Sequence, residues 1–293
     1  MNKFNIDTLL ELAGSALDTD YARNADWRAH YLQEIVANLE EDKDCDNYDD
    51  EDVIEAVENL AYADETVPMP PELQSLFLYV YGIAVELEDS ARINDIGAFY
   101  YTGHIGVQDF KKAEYYYKLA AELGNSYSIE NLGYIYYYGR IGEVNYEKAY
   151  HQFTKGSAAY NRAISTYKLG DMYKNGYYVE RDPRAALRCY QRAEKLIDNG
   201  QHENRAENCA PDIYFRLGEA YQRGMAVEQD LDKALAYYQK AEVGFIDKVR
   251  SGDYLVKKLL TLSIDRQEEI RQEIARTLPA MDWAKKNTGY NSL

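Results

Sequence analysis

The chain has 293 residues, of which 46% are hydrophobic and 28% charged, with a formal net charge of −17. This composition argues against global disorder, and the charge argues against nucleic acid or an anionic membrane surface as a partner. Thirty Tyr stand against two Trp and seven Phe; tyrosine has an apolar body and a polar tip and suits half-buried surfaces.

The N-terminus places Lys3 before a short apolar stretch that Asp7 and Glu11 interrupt, which makes a poor signal peptide. Apolar spacing predicts helices over Ile6–Leu17, Trp27–Leu39 and Glu51–Ala61. Between Glu40 and Glu65 the chain carries 13 acids and one base, Lys43, a net of −12. The rest of the chain is only −5, so the acidity belongs mainly to one segment. Pro68, Pro70 and Pro71 break the chain. A strongly apolar helix, Glu72–Glu88, follows and is expected to dock under the next element. The longest apolar run, Leu76–Val85, contains Gly82 and is ten residues long, too short for a bilayer. A cytoplasmic protein is expected.

From residue 94 the sequence repeats itself. Taking Gly97, Gly133, Gly170 and Gly218 as origins, the spacings are 36, 37 and 48. A Tyr stands at offset +3 (Tyr100, Tyr136, Tyr173, Tyr221) and a second Gly at +6 (Gly103, Gly139, Gly176, Gly224). Asp109, Asn145, Asp182 and Asp230 occupy +12, and Ala113, Ala149, Ala186 and Ala234 occupy +16. The second Gly ends a first helix as its left-handed cap. The Asp or Asn is the N-cap of a second helix, with Pro183 at its first position. Offsets +16, +19, +20 and +23 make one apolar face. The small residues at the origin and at +16 permit close helix approach. Each repeat is then a helical hairpin that buries its face by stacking on its neighbours.

The motif Leu132-Gly133, Tyr136, Gly139, with Asp109, Lys112, Ala113, Tyr116, Tyr117 and Ala120-Ala121 in the first repeat, resembles the Sel-one-like repeat family, a relative of the tetratricopeptide repeats. The resemblance covers roughly residues 90–245. It implies a right-handed α-α superhelix and an adaptor role in protein complexes, and it supplies no catalytic residue. Gly156-Ser157 replaces the usual Ala-Ala, Ala185 replaces Lys and Cys189 takes an aromatic position. About a dozen extra residues lie around Gly200–Asp212, by comparison with the other spacings. Beyond Gly244, Tyr254–Leu262 and an amphipathic helix with Ile264, Ile270, Ile274 and Leu278 are expected. The predicted organisation is an acidic helical cap (1–70), a repeat solenoid (71–250) and a C-terminal helical cap (251–293).

Chemistry is sparse. Asp42-x-Asp44-x-Asp46 has the start of a calcium loop, but Asn47, Asp49 and Val53 stand where its later positions are strict. A solvated acidic loop is the better account. His30, His104, His151 and His202 are scattered, and Cys45, Cys189 and Cys209 show neither disulfide nor metal spacing. Cys189 falls at a core position, as a small hydrophobe. No cofactor, metal or enzymatic activity is expected.

One constellation remains. On each first helix, offsets −1, +2 and +3 face the core, and −3, +1, +4 and +5 face the other way. In related solenoids the first helices line the concave surface. There Tyr134, Tyr137 and Tyr138, with Tyr101 before and Tyr167 after, are expected to form an aromatic strip for a bound protein or peptide. Lys174, Asn175 and Arg223 extend it and suit a carboxylate. The function expected is an interaction scaffold. A dedicated inhibitor of a basic protein is the alternative, since segment 40–65 would steer a basic target. An enzyme with its site in the N-terminal helices is remote, because no acid, base and nucleophile cluster there.

Overall fold

The computed structural model describes residues 5–19, 26–42, 69–104, 106–199 and 205–277, with isolated helical positions at 22, 55, 57 and 59. Among the described residues every regular element is helical. In chain order these are α1 (Ile6–Leu17), α2 (Asp26–Asp42), α3 (Pro71–Glu86), α4 (Ser90–Thr102), α5 (Phe110–Glu122) and α6 (Ser126–Tyr137). There follow α7 (Tyr146–Tyr160), α8 (Ala163–Asn175), α9 (Pro183–Asp198), α10 (Arg205–Arg223), α11 (Leu231–Arg250) and α12 (Lys257–Thr277). The chain forms two compact units, Met1–Ala149 and Tyr150–Leu293.

The repeat grammar sets the hairpins. The +6 glycines carry left-handed backbone, with φ of +80° at Gly103, +62° at Gly139, +74° at Gly176 and +62° at Gly224, which a side chain would strain. Side-chain oxygens of Asp109, Asn145, Asp182 and Asp230 accept backbone N–H groups at the start of the following helix. The N–H of the same four residues donates to the carbonyl of the +3 tyrosine, at 2.9 Å to Tyr100, Tyr136 and Tyr173 and 3.1 Å to Tyr221. Each interhelix loop is therefore closed at both ends by one residue. The lysine of the Asp-x-x-Lys pattern covers the same tyrosine: Lys112 lies 4.8 Å from the Tyr100 ring centre, Lys148 5.2 Å from Tyr136 and Lys233 4.1 Å from Tyr221. The third repeat has Ala185 in place of this lysine. There Tyr173 instead shares a 2.9 Å hydroxyl–hydroxyl hydrogen bond with Tyr150.

The origin glycines make room for a ring. Tyr117, Tyr190 and Tyr238, at +20, are buried. A Cβ at Gly97, Gly170 or Gly218 would lie 2.6, 2.5 or 3.0 Å from the corresponding ring. The +16 alanines are fully buried. In the fourth repeat the extra residues lengthen the first helix, α10, which contains Pro211. Gly244 on α11 lets this proline approach, since a Cβ there would lie 2.9 Å from Pro211 Cβ.

In the first unit α1 packs on α2 and α3, and α3 on α4. The apolar α3 docks as expected: Phe77 meets Phe99 edge-on at 4.7 Å and stacks on Tyr81 at 4.0 Å. The helix expected over Glu51–Ala61 and the Asp42-x-Asp44-x-Asp46 loop lie largely outside the described residues. The C-terminal flank differs from expectation. Tyr254–Val256 is a single 3-10 turn running straight into α12. Ile264 is exposed, whereas Ser263, Gln267 and Ile270 are buried. Ile270 packs with Tyr238 and Ala234, and Ile274 against the same cluster, as expected; Gln267 turns inward because its Nε2 donates to Glu242 Oε2 on α11 at 2.6 Å. Leu278 lies outside the described residues.

Candidate functional site

The −3, +1, +4 and +5 positions do not share one fate. Asn94, Glu130 and Tyr167 at −3, and Asp171 at +1, are buried. Thr102, Tyr138, Asn175 and Arg223 at +5 are all exposed. The last turn of each first helix is the most open, and in the first and third repeats polar bridges tie the earlier turns to the next repeat. In the first unit Asn94 Oδ1 accepts from Ser128 Oγ at 2.8 Å and Asn131 Nδ2 at 3.2 Å. In the second, Arg216 on α10 donates to both carboxylate oxygens of Asp171 on α8, at 2.5 and 2.6 Å. Tyr190 Oη donates to Asp171 Oδ1 at 2.9 Å. Burial alone would raise the Asp171 pKa; the charge and hydrogen bonds of Arg216, the charge of Lys168 and the Tyr190 hydroxyl outweigh it and hold the pKa below its ordinary value.

Tyr167 is therefore corrected as a candidate contact ring. It is 4% exposed, belongs to the core of the second unit and lies beneath the Arg216 guanidinium, 4.7 Å from its ring centre.

The other four tyrosines form one cluster in the first unit. Tyr134 stacks on Tyr138 at 5.9 Å with rings 4° apart, and Tyr137 meets Tyr138 edge-on at 5.0 Å. Tyr101 and Tyr134 line a small cavity of about 70 Å³ with Tyr117 and Asn131. Arg140 joins the halves. Its Nε donates to Tyr101 Oη at 3.2 Å, and its guanidinium carbon lies 5.9, 5.7 and 5.5 Å from the ring centres of Tyr101, Phe110 and Tyr138. Tyr138 is 47% exposed and the other three tyrosines are half-buried. The sequence pattern did not reveal Arg140, because it lies beyond the helix in the loop that follows Gly139.

Lys174, Asn175 and Arg223 belong to the second unit and line a groove of about 590 Å³ with Arg181, Glu219 and neighbouring loop residues. The two cations expected to receive a ligand carboxylate already hold one. Glu219 accepts from Lys174 Nζ and pairs with Arg223 Nη1 at 3.2 Å. Glu219, at +1 on α10, lies one helical turn before Arg223.

Elsewhere the chemistry stays structural. Burial pushes the Cys189 thiol up to about 11, which suits an inert side chain. His104 stacks on Phe99 at 5.5 Å and His151 meets Tyr178 at 5.9 Å. Among the described residues no group of His, Cys, Asp or Glu is arranged to hold a metal ion. No helix among them is long and apolar enough to cross a membrane.

Residues 93–125, 126–160, 163–198 and 211–242 each match the Sel1 repeat. Two solved structures share the fold. The first is a Sel1 repeat protein from Oxalobacter formigenes, 19% identical, with a TM-score of 0.53, covering 71% of this chain and 76% of that one. The second is a protective antigen of uropathogenic Escherichia coli displaying an SLR fold, 21% identical, also with a TM-score of 0.53. That match covers 99% of this chain and 57% of the other, so the chain spans little more than half of the antigen's length. At these identities the likeness shows the fold, an α-solenoid of helix hairpins. No curated protein sequence matches the chain.

Proposed function

Because this chain belongs to the Sel1-repeat proteins, which act as protein-interaction scaffolds, we propose that it holds a partner protein on the open last turns of its first helices. The observation that carries this is the cluster of Tyr101, Tyr134, Tyr137 and Tyr138 around Arg140. Tyrosine rings bury large area at low side-chain entropy cost, and an arginine held among rings is already ordered before binding. The flanking helices, 1–70 and 251–293, serve as caps with one polar face.

The test compares wild type with Tyr134→Ala/Tyr138→Ala as baits in the native cell extract, with melting temperature measured on both. The scaffold reading expects a partner held by wild type and lost by the variant at little cost in stability. Equal capture by both moves the contact surface elsewhere.

An inhibitor of a single basic protein is the second reading, favoured by the net charge of −12 between Glu40 and Glu65. Several partners in the capture favour a scaffold; one stoichiometric basic partner favours the inhibitor.

A further inference from the structure

We propose that the groove between the third and fourth repeats takes an acidic segment of a partner chain, and that Glu219 is its resident competitor. This deepens the scaffold reading and rests on it. Lys174 and Arg223 come from the last turns of α8 and α10, and Arg181 comes from the loop between α8 and α9. Three cations therefore face one anion, Glu219, in a chain whose net charge is −17. Cations in the last turn of a helix complement its dipole, which accounts for Lys174 and Arg223 without a ligand. Arg181 lies outside the helix and caps one of its last carbonyls, the place that Gln108 and Gln229 fill with neutral amides in other repeats, so its charge is what this groove adds.

Arg181 is also positioned. Its Nε donates to the Lys174 carbonyl at 3.2 Å, which pins the guanidinium to the groove wall. Arg223 gives Nη1 to Glu219. A guanidinium offers five donors in a planar fork that matches a carboxylate. Glu219 is the internal demonstration: its carboxylate sits between Lys174 and Arg223 with its side chain 15% exposed. The groove, at about 590 Å³, falls within the roughly 300–1,000 Å³ of ligand sites and exceeds what one carboxylate fills. Pro183 and Met225 give it apolar wall for the stem of a glutamate or aspartate. An entering carboxylate takes Arg181 and Arg223 while Glu219 keeps Lys174. Glu219 thus offsets one of the three positive charges of the empty groove and sets a threshold that weakly acidic segments do not pass. A nucleic acid backbone is the poorer occupant, because the chain as a whole repels a polyanion of that length.

The probe is hexaglutamate with an N-terminal fluorophore and a free C-terminus, followed by anisotropy against the full chain at physiological salt, with hexaserine as control. Hexaglutamate is expected to bind and hexaserine not to. Arg181→Gln/Arg223→Gln, two exposed positions, should weaken binding at least tenfold with an unchanged melting temperature. Glu219→Gln should tighten it several-fold. Absence of hexaglutamate binding by both wild type and Glu219→Gln overturns the proposal, as does binding that ignores the double arginine variant. Tyr134→Ala/Tyr138→Ala should bind hexaglutamate like wild type. A partner lost by that tyrosine variant while hexaglutamate fails to bind at all sinks the groove and leaves the scaffold standing.

Discussion

A Cβ built on Gly170 would lie 2.5 Å from Cε1 of Tyr190. The ring is fully buried and its hydroxyl reaches Asp171, the residue after the glycine. The absent side chain on one helix and the aromatic ring on its hairpin partner are a single packing device. Gly97 with Tyr117 and Gly218 with Tyr238 repeat it. Gly170→Ala is therefore expected to destabilise by about 1–3 kcal/mol through overpacking. Chemical denaturation checks this; a midpoint equal to wild type would show that the ring moves aside freely.

The Asp171–Arg216 pair is a buried bidentate tie between α8 and α10. Arg216→Met removes one partner and leaves a buried carboxylate, which costs about 3–5 kcal/mol. The double change Asp171→Leu/Arg216→Met should recover much of that loss, because an apolar pair has no charge to strand. Urea unfolding of the single and double variants checks both statements. Equal destabilisation by the two would mean that the ion pair itself, and not the stranded charge, dominates.

The same pair makes a pH statement. The folded pKa of Asp171 lies below its ordinary value. Such a carboxylate contributes stability that is fully present above the unfolded value and is lost as pH falls through the folded one. Arg216, raised by Asp171 against the effect of burial, stays charged throughout. Stability of wild type should therefore fall more steeply on acidification than that of Asp171→Asn. Parallel acid titrations of the two remove this account.

Segment 40–65 offers a kinetic prediction. Replacing its acids between Glu40 and Asp52 by Asn and Gln should leave the helical fold intact. Association with a basic partner should slow and lose much of its salt dependence. Stopped-flow association across a salt series reads this directly, and identical slopes for both chains would remove the steering role.

Much of the fold was legible in the sequence because its grammar is local. The caps at Asp109, Asn145, Asp182 and Asp230 and the left-handed glycines act within a few residues of themselves, so offsets reveal them. Helix α1 follows its apolar spacing from Ile6 to Leu17. In each unit the candidate residues at the helix ends were legible as groups, but their partners were not. Tyr134, Tyr137 and Tyr138 sit on one helix end, where periodicity places them together. Tyr167 was misjudged because its cover, Arg216, comes from 49 residues later in the chain. Lys174 likewise finds Glu219 across a separation of 45 residues. Side-chain pairing between repeats leaves no period in the sequence. On α12 the expected Ile270 and Ile274 do pack inward, and Ile264 alone turns outward while Gln267 is drawn in by Glu242 on another helix.

The tyrosine cluster of the first unit is the proposed contact surface. Chemical labelling of tyrosine side chains, with and without the captured partner, tests it most directly. Tyr101, Tyr134, Tyr137 and Tyr138 should lose reactivity in the complex, Tyr138 most of all, since it is 47% exposed in the free chain. Tyr190 and Tyr238, fully buried, should stay unreactive in both states, and Tyr254, 62% exposed on the C-terminal flank, should stay reactive in both. Unchanged labelling of Tyr134 and Tyr138 on saturation with partner would contradict the account.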